Sequence, residues 1–79
     1  MRLDKYLKVS RLIKRRTVAN EACDAEKITV NGKIARASYE VKLNDVIEIN
    51  IGKAPLRVKV LKVAEVVGKD GASDLYEVL

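Results

Sequence analysis

Arg2, Lys5, Lys8, Arg11, Lys14, Arg15 and Arg16 crowd the first sixteen residues of this 79-residue sequence, where the one acid is Asp4. Seven positive charges against one negative give that segment a formal charge of +6, while nine Lys/Arg against ten Asp/Glu leave the rest of the chain at −1. Guanidinium and ammonium groups at this density bind phosphate oxygens, through charge and through parallel N–H donors in the case of arginine. Concentrating the surplus at one end costs self-repulsion, which a polyanionic partner relieves. Nucleic acid is the partner expected.

Other chemistry has little to work with. Histidine is absent, which removes the usual general base and the commonest metal ligand. A lone Cys23 forms no internal disulfide and no cysteine zinc site, so neither metal nor cofactor is expected. Asp4, Glu21, Asp24 and Asp45 are acids in principle, but each has a simpler solvated or turn-forming explanation. Asp4, for instance, stands four residues before Lys8, the spacing of an ion pair along one helix face. The chain is therefore expected to bind and not to catalyse.

The elements that must present the basic residues follow from the apolar spacing. Leu3, Tyr6 and Leu7, with Ser10, share one face of a helix over residues 2–9, leaving Lys5 and Lys8 opposite and Arg2 at the border. A second helical pattern over residues 15–25 puts Val18, Ala19, Ala22, Cys23 and Ala25 on one face, and its alanines allow close approach to the first helix or to a sheet. Lys14, Arg15 and Arg16 fall where that helix begins, an unfavourable place for cations unless phosphate is bound there. Cys23, among alanines, is expected to be a buried and inert thiol.

The pattern then becomes alternating. Ile28 and Val30 precede Asn31-Gly32, a strong hairpin signal, and Ile34 follows in a short return strand. Val41 and Leu43 lead to an Asn44-Asp45 turn, then to a strand carrying Val46, Ile47, Ile49 and Ile51. Gly52 to Pro55 break the pattern, a long strand is expected through Val58, Val60 and Val63, and a loop over 68–74 precedes a last strand with Leu75, Tyr76 and Val78. Two amino-terminal helices followed by four or five strands make one small α+β domain with an antiparallel or mixed sheet. Apolar runs are too short to span a membrane, and no apolar stretch follows the first charges as in a signal peptide, so a cytoplasmic protein is expected.

Aromatic content narrows the kind of nucleic acid. Readers of single strands stack bases on several aromatic rings, but this chain has three tyrosines and neither Phe nor Trp. Tyr6 belongs on the core face of the first helix, which leaves Tyr39 as the better candidate for exposure. Recognition through phosphates and helical shape suits the composition, and structured RNA is the ligand it favours.

The strings RLDKYL, RRTVANEA, ITVNGKIA and VKLNDVIEI resemble the RNA-binding domain of ribosomal protein S4, in its compact αL form, over residues 2–51. Residues 52–79 then extend the sheet beyond the shared motif. The string RLDKYLKVSRLIKRRT and the minimal length resemble in particular the ribosome quality-control RqcP family, which is related to the heat-shock ribosome-associated proteins. That resemblance implies a monomeric factor binding large ribosomal subunit RNA and peptidyl-tRNA on obstructed subunits. It also implies a partnership with the quality-control factor RqcH in adding carboxyl-terminal alanine tails to stalled chains. The alternatives are a heat-shock-type factor recycling free large subunits that carry nascent chain and tRNA, or a basic adaptor for an acidic protein.

The family's RNA-contacting arginines map onto Arg2 and Arg16, with Lys5, Lys8, Arg11, Lys14 and Arg15 as weaker assignments in the same segment. Two positions depart from the family pattern. Arg15 stands where Ser or Thr is common, and Glu26 replaces the usual Gly before the first strand, which implies a different backbone conformation there.

Overall fold

The computed structural model describes residues 1–64 and 71–79. Helices α1 (Leu3–Val9) and α2 (Arg16–Asp24) precede strands β1 (Ile28–Val30), β2 (Lys33–Ile34), β3 (Val46–Ile49), β4 (Leu56–Val60) and β5 (Tyr76–Val78). The strands form one sheet in the order β2-β1-β3-β4-β5, with every neighbouring pair antiparallel. This is the α+β arrangement expected, with the pairing resolved as antiparallel throughout. The long strand ends at Val60, and Val63 packs against the core from outside it. Of the loop expected over 68–74, residues 68–70 lie outside the described residues, while Ala72–Leu75 form a 3-10 turn.

Strand alternation decides which sheet face is buried. Ile28, Val30, Ile47, Ile49, Val58 and Val60 point inward, and Thr29, Val46, Glu48, Arg57 and Lys59 lie on the other face, half-buried or exposed. Against the inner face pack Leu3, Tyr6 and Leu7 of α1 and Ala19, Ala22 and Cys23 of α2. Each buried Leu or Val contributes about 1.5–3 kcal/mol, and the alanines of α2 let the two helices lie close. Tyr6 is fully buried, and its hydroxyl donates to the Leu75 carbonyl at 2.6 Å, joining α1 to the carboxyl end. Burial and the neighbouring Tyr76 push its ionisation well above the ordinary tyrosine range. Val18 and Ala25, placed on the core face by helical spacing, are exposed instead. The buried stripe of α2 is narrower than the sequence pattern implied.

Helix α1 has seven residues and no side-chain cap. Its first amides find other acceptors: Leu3 N–H donates to the Tyr39 carbonyl at 2.8 Å and Asp4 N–H to the Ala37 carbonyl at 3.2 Å, both outside the helix, and Lys5 N–H donates to the Asp4 carboxylate at 2.8 Å. The segment around residues 37–41 thus fixes where the chain enters α1. The backbones of Arg2 and Glu40 form an isolated antiparallel β-bridge there, and the Val41 amide donates to the Met1 carbonyl.

Arg15 is the N-cap of α2 in an extended conformation and makes no capping bond. A Ser or Thr at that position would accept from a helix amide, which accounts for the commoner residue type there. Helix α2 ends in a Schellman motif, with Glu26 N–H donating to the Cys23 carbonyl and Lys27 N–H to the Ala22 carbonyl. Glu26 adopts φ +62 in doing so. The different conformation expected from the missing glycine is therefore not found: the left-handed geometry is kept, and a side chain bears its strain. Asn31 and Gly32 take φ 53 and 83, as a two-residue hairpin turn demands.

Removing that strain makes a direct test. Glu26→Gly should stabilise the fold by about 0.5–1 kcal/mol, the relieved left-handed strain less the added chain entropy. Urea unfolding should show a higher midpoint at unchanged slope, and a lower midpoint would contradict the reading of this turn.

Candidate RNA-binding site

Asp4 lies in the first turn of α1 and is buried, its side chain 3% exposed, yet it is ionised and surrounded by donors. From one side comes Arg2, with Nε 3.2 Å from Oδ1 and Nη2 3.4 Å from Oδ2. From the other comes Arg16 at the start of α2, with Nε 3.3 Å from Oδ2 and Nη2 3.5 Å from Oδ1. Asn20, one turn further along α2, donates Nδ2 to Oδ2 at 3.4 Å. Two guanidinium groups thus grip one carboxylate side-on, across the contact between the two helices.

Burial opposes the charge on Asp4, but Arg16, Asn20 and the Lys5 amide outweigh it and hold the carboxyl below its ordinary pKa. Position helps as well, since a carboxylate in the first turn meets the positive end of the helix dipole. The arginines remain about half exposed, 50% for the side chain of Arg2 and 47% for that of Arg16. Each guanidinium has five N–H donors, and the side-on contact leaves several of them facing solvent. A shallow depression of about 390 Å³ opens beside Arg16, lined also by Asp4, Thr17, Asn20 and Glu21.

The other basic residues lie around the junction of the helices. Lys5 is half-buried on α1, and Lys8 is exposed in its last turn. Arg11 is exposed just beyond that helix, at φ 62, and donates its amide to the Lys8 carbonyl. Lys14 and Arg15 are exposed in the connection leading into α2. Arg2 and Arg16, fourteen positions apart, are brought together on the shared carboxylate, to which Lys5 donates its backbone amide, and Lys8, Arg11, Lys14 and Arg15 are exposed elsewhere in the same segment.

Asp4 is the residue the sequence did not disclose. Its expected partner was Lys8, but its partners are Arg2, Arg16, Asn20 and the Lys5 amide. The available signal was its place beside Leu3 and Leu7 on the core side of α1, together with Asn20 one turn after Arg16.

Asp45 is also more than a turn residue. It is buried and accepts from Asn31 Nδ2 at 3.0 Å, Tyr39 Oη at 2.8 Å and the Lys42 amide at 2.9 Å. Tyr39, the tyrosine expected to be more exposed than Tyr6, is half-buried where Tyr6 is fully buried, and it is tethered by its hydroxyl. That tether holds the segment whose carbonyls receive the amides of α1. Cys23 is buried as expected, and burial, assisted by the charges of Asp4 and Asp24, pushes its thiol up to about 11. Among the described residues no group of three or more His, Cys, Asp or Glu could hold a metal ion, and no helix is long and apolar enough to cross a membrane.

Residues 1–47 match the S4 domain. The protein named RQC P-site tRNA stabilizing factor in Streptococcus pneumoniae is 52% identical over 79 residues, covering 100% of this chain and 90% of its own length. Its namesake in Halalkalibacterium halodurans is 54% identical over 78 residues, covering 99% and 89%. This chain belongs to that S4-domain family. The structure of Vibrio cholerae heat shock protein 15 superposes on the present S4 protein with a TM-score of 0.92 at 28% identity, over 100% of this chain and 81% of that one. Fold and family agree with the resemblance carried by the sequence motifs.

The buried carboxylate of this S4 protein makes its stability depend on acid in a defined sense. A carboxyl whose pKa is lowered on folding stabilises the fold fully above its unfolded value of about 3.9 and loses that contribution as pH falls through the lower folded value. The stability advantage of the native protein over Asp4→Asn should be constant above about pH 5 and shrink steadily below about pH 4. Urea unfolding across that range checks it, and a difference independent of pH down to 2 would contradict it.

Proposed function

We propose that this protein is an RNA-binding factor of ribosome-associated quality control. It binds obstructed large ribosomal subunits, contacts ribosomal RNA and peptidyl-tRNA, and supports alanine tailing of the stalled chain together with RqcH. The observation that carries the reading is the pair of half-exposed guanidiniums of Arg2 and Arg16, fixed on one carboxylate within the amino-terminal segment that holds the whole charge surplus. In relatives about half identical over this whole chain, the name specifies P-site tRNA. That favours the quality-control role over subunit recycling, for which the support is a structural neighbour at 28% identity.

Phosphate contact is the mode this surface suits. Tyr6 is buried and Tyr39 is tethered, so base stacking has little to use. Arg2 and Arg16 take RNA phosphates with the N–H donors that Asp4 leaves free, and Lys5, Lys8, Arg11, Lys14 and Arg15 add charge around them. Recognition then follows the shape and backbone of structured RNA. The contribution is binding without catalysis: added contacts slow the departure of tRNA from the subunit. The protein acts as a cytoplasmic monomer, with residues 2–51 as the RNA-binding core and 52–79 extending its sheet.

Alanine substitutions test where the contact lies. Arg2→Ala and Arg16→Ala should each weaken binding to tRNA-carrying large subunits by on the order of 1–3 kcal/mol, the magnitude of a charge-assisted contact. Lys33→Ala, on exposed β2, should have much less effect. Binding of the native protein should fall with salt at a log–log slope of about −3 to −5, as for about four to six phosphates. Equal small losses from all three variants, or a slope near zero, would contradict a localised phosphate site.

A further inference from the structure

A carboxylate between two phosphate-binding arginines is unfavourable if charge alone matters. Asp4 reduces the local charge of the pair from +2 to +1 and sets a negative group close to where RNA phosphates would lie. Yet the structure places it there with its side chain 3% exposed and both oxygens occupied, by the two guanidiniums, Asn20 Nδ2 and the Lys5 amide. We infer that Asp4 is the positioning residue of this RNA site, giving up general affinity for RNA to hold Arg2 and Arg16 in one fixed geometry. The inference rests on the RNA-binding reading above and concerns what makes that binding selective.

Three features support it. The two arginines come from different elements, Arg2 from the residue before α1 and Arg16 from the first turn of α2, so no backbone regularity sets their spacing. Like charges so placed repel, and free arginine side chains would spread over many rotamers. Asp4 counters both effects by engaging Nε and one terminal nitrogen of each guanidinium. The remaining N–H donors of each planar group then point away from the carboxylate in a fixed direction, the arrangement bidentate phosphate recognition requires. Asp4 is itself anchored, because its amide donates to the Ala37 carbonyl and Asn20 holds one of its oxygens. A pair fixed in this way discriminates between phosphate arrangements, whereas a loose cationic patch accepts any polyanion.

Opposite signs on two ligands separate positioning from charge. Asp4→Asn in the full chain removes a negative charge while keeping shape and one acceptor oxygen. Against purified large subunits carrying P-site tRNA, it should bind about tenfold more weakly than the native protein. Against a 20-nucleotide polyuridine strand, it should bind equally or up to about threefold more tightly, with added positive charge and no geometric demand. Asp4→Glu retains the charge but displaces the carboxylate by one methylene, and it should show the loss on tRNA-carrying subunits with polyuridine binding unchanged. Tighter binding of Asp4→Asn to both ligands, or no change on either, would overturn the inference, as would failure of both variants to fold. If Arg2→Ala and Arg16→Ala leave binding to tRNA-carrying subunits intact, the RNA reading itself falls and the inference with it. If those losses stand while Asp4→Asn binds the subunits more tightly, the positioning role alone is overturned.

Discussion

A seven-residue helix has no stability of its own in water, because so few turns cannot offset the nucleation penalty. Helix α1 exists because Leu3, Tyr6 and Leu7 are fully buried and because its first amides find acceptors outside the helix. Those acceptors are the Ala37 and Tyr39 carbonyls, while the Lys5 amide is taken within the helix by the Asp4 carboxylate. The segment that supplies the carbonyls is held in turn by Tyr39 and Lys42 on Asp45, which also receives Asn31 from the β1–β2 turn. The entry of the chain into α1, and with it the location of Arg2, is therefore set by a hydrogen-bonded chain reaching the hairpin turn. Helix α2 depends likewise on burial of Ala19, Ala22 and Cys23 and on the Schellman closure at its end.

Much of this was legible from residue spacing. The 3.6-residue period of Leu3, Tyr6 and Leu7 and the period of two from Ile28 onward gave the element order, and Asn31-Gly32 marked the hairpin. The charge census located the basic end, and the motif resemblance singled out Arg2 and Arg16. Tertiary effects account for what was misread. Val18 sits on an apolar pattern but is exposed, because small side chains bring α2 close along a narrow stripe. Glu26 keeps a glycine-like conformation because the paired bonds that close α2 impose it on whichever residue is present. Asp4 read as a surface acid because charge on a short helix usually is one, and two of its partners, Arg16 and Asn20, lie 12 and 16 positions away on another helix. The tether of Tyr39 to Asp45 was likewise invisible in local sequence, although its greater exposure than Tyr6 was not.

Site and scaffold are joined in the same few residues. Asp4 takes part in the start of α1 through its own amide and the Lys5 amide, and in the basic surface through Arg2 and Arg16. Leu3 and Leu7 flank it on the core side. The two half-exposed arginines are thus supported by a carboxylate that the core and the 37–41 segment hold still, a more rigid arrangement than surface cations usually have. A factor that holds tRNA on the subunit needs such rigidity, because orienting its contacts beforehand lowers the ordering cost of binding.

The most direct measurement is a cryo-EM reconstruction of the protein on an obstructed large subunit carrying P-site tRNA, with side chains resolved. The account predicts Arg2 and Arg16 each against an RNA phosphate, with the Asp4 carboxylate still between them and the outer face of β3 and β4 turned away. RNA lying against Arg57 and Lys59 on that outer face, with Arg2 and Arg16 in solvent, would contradict it.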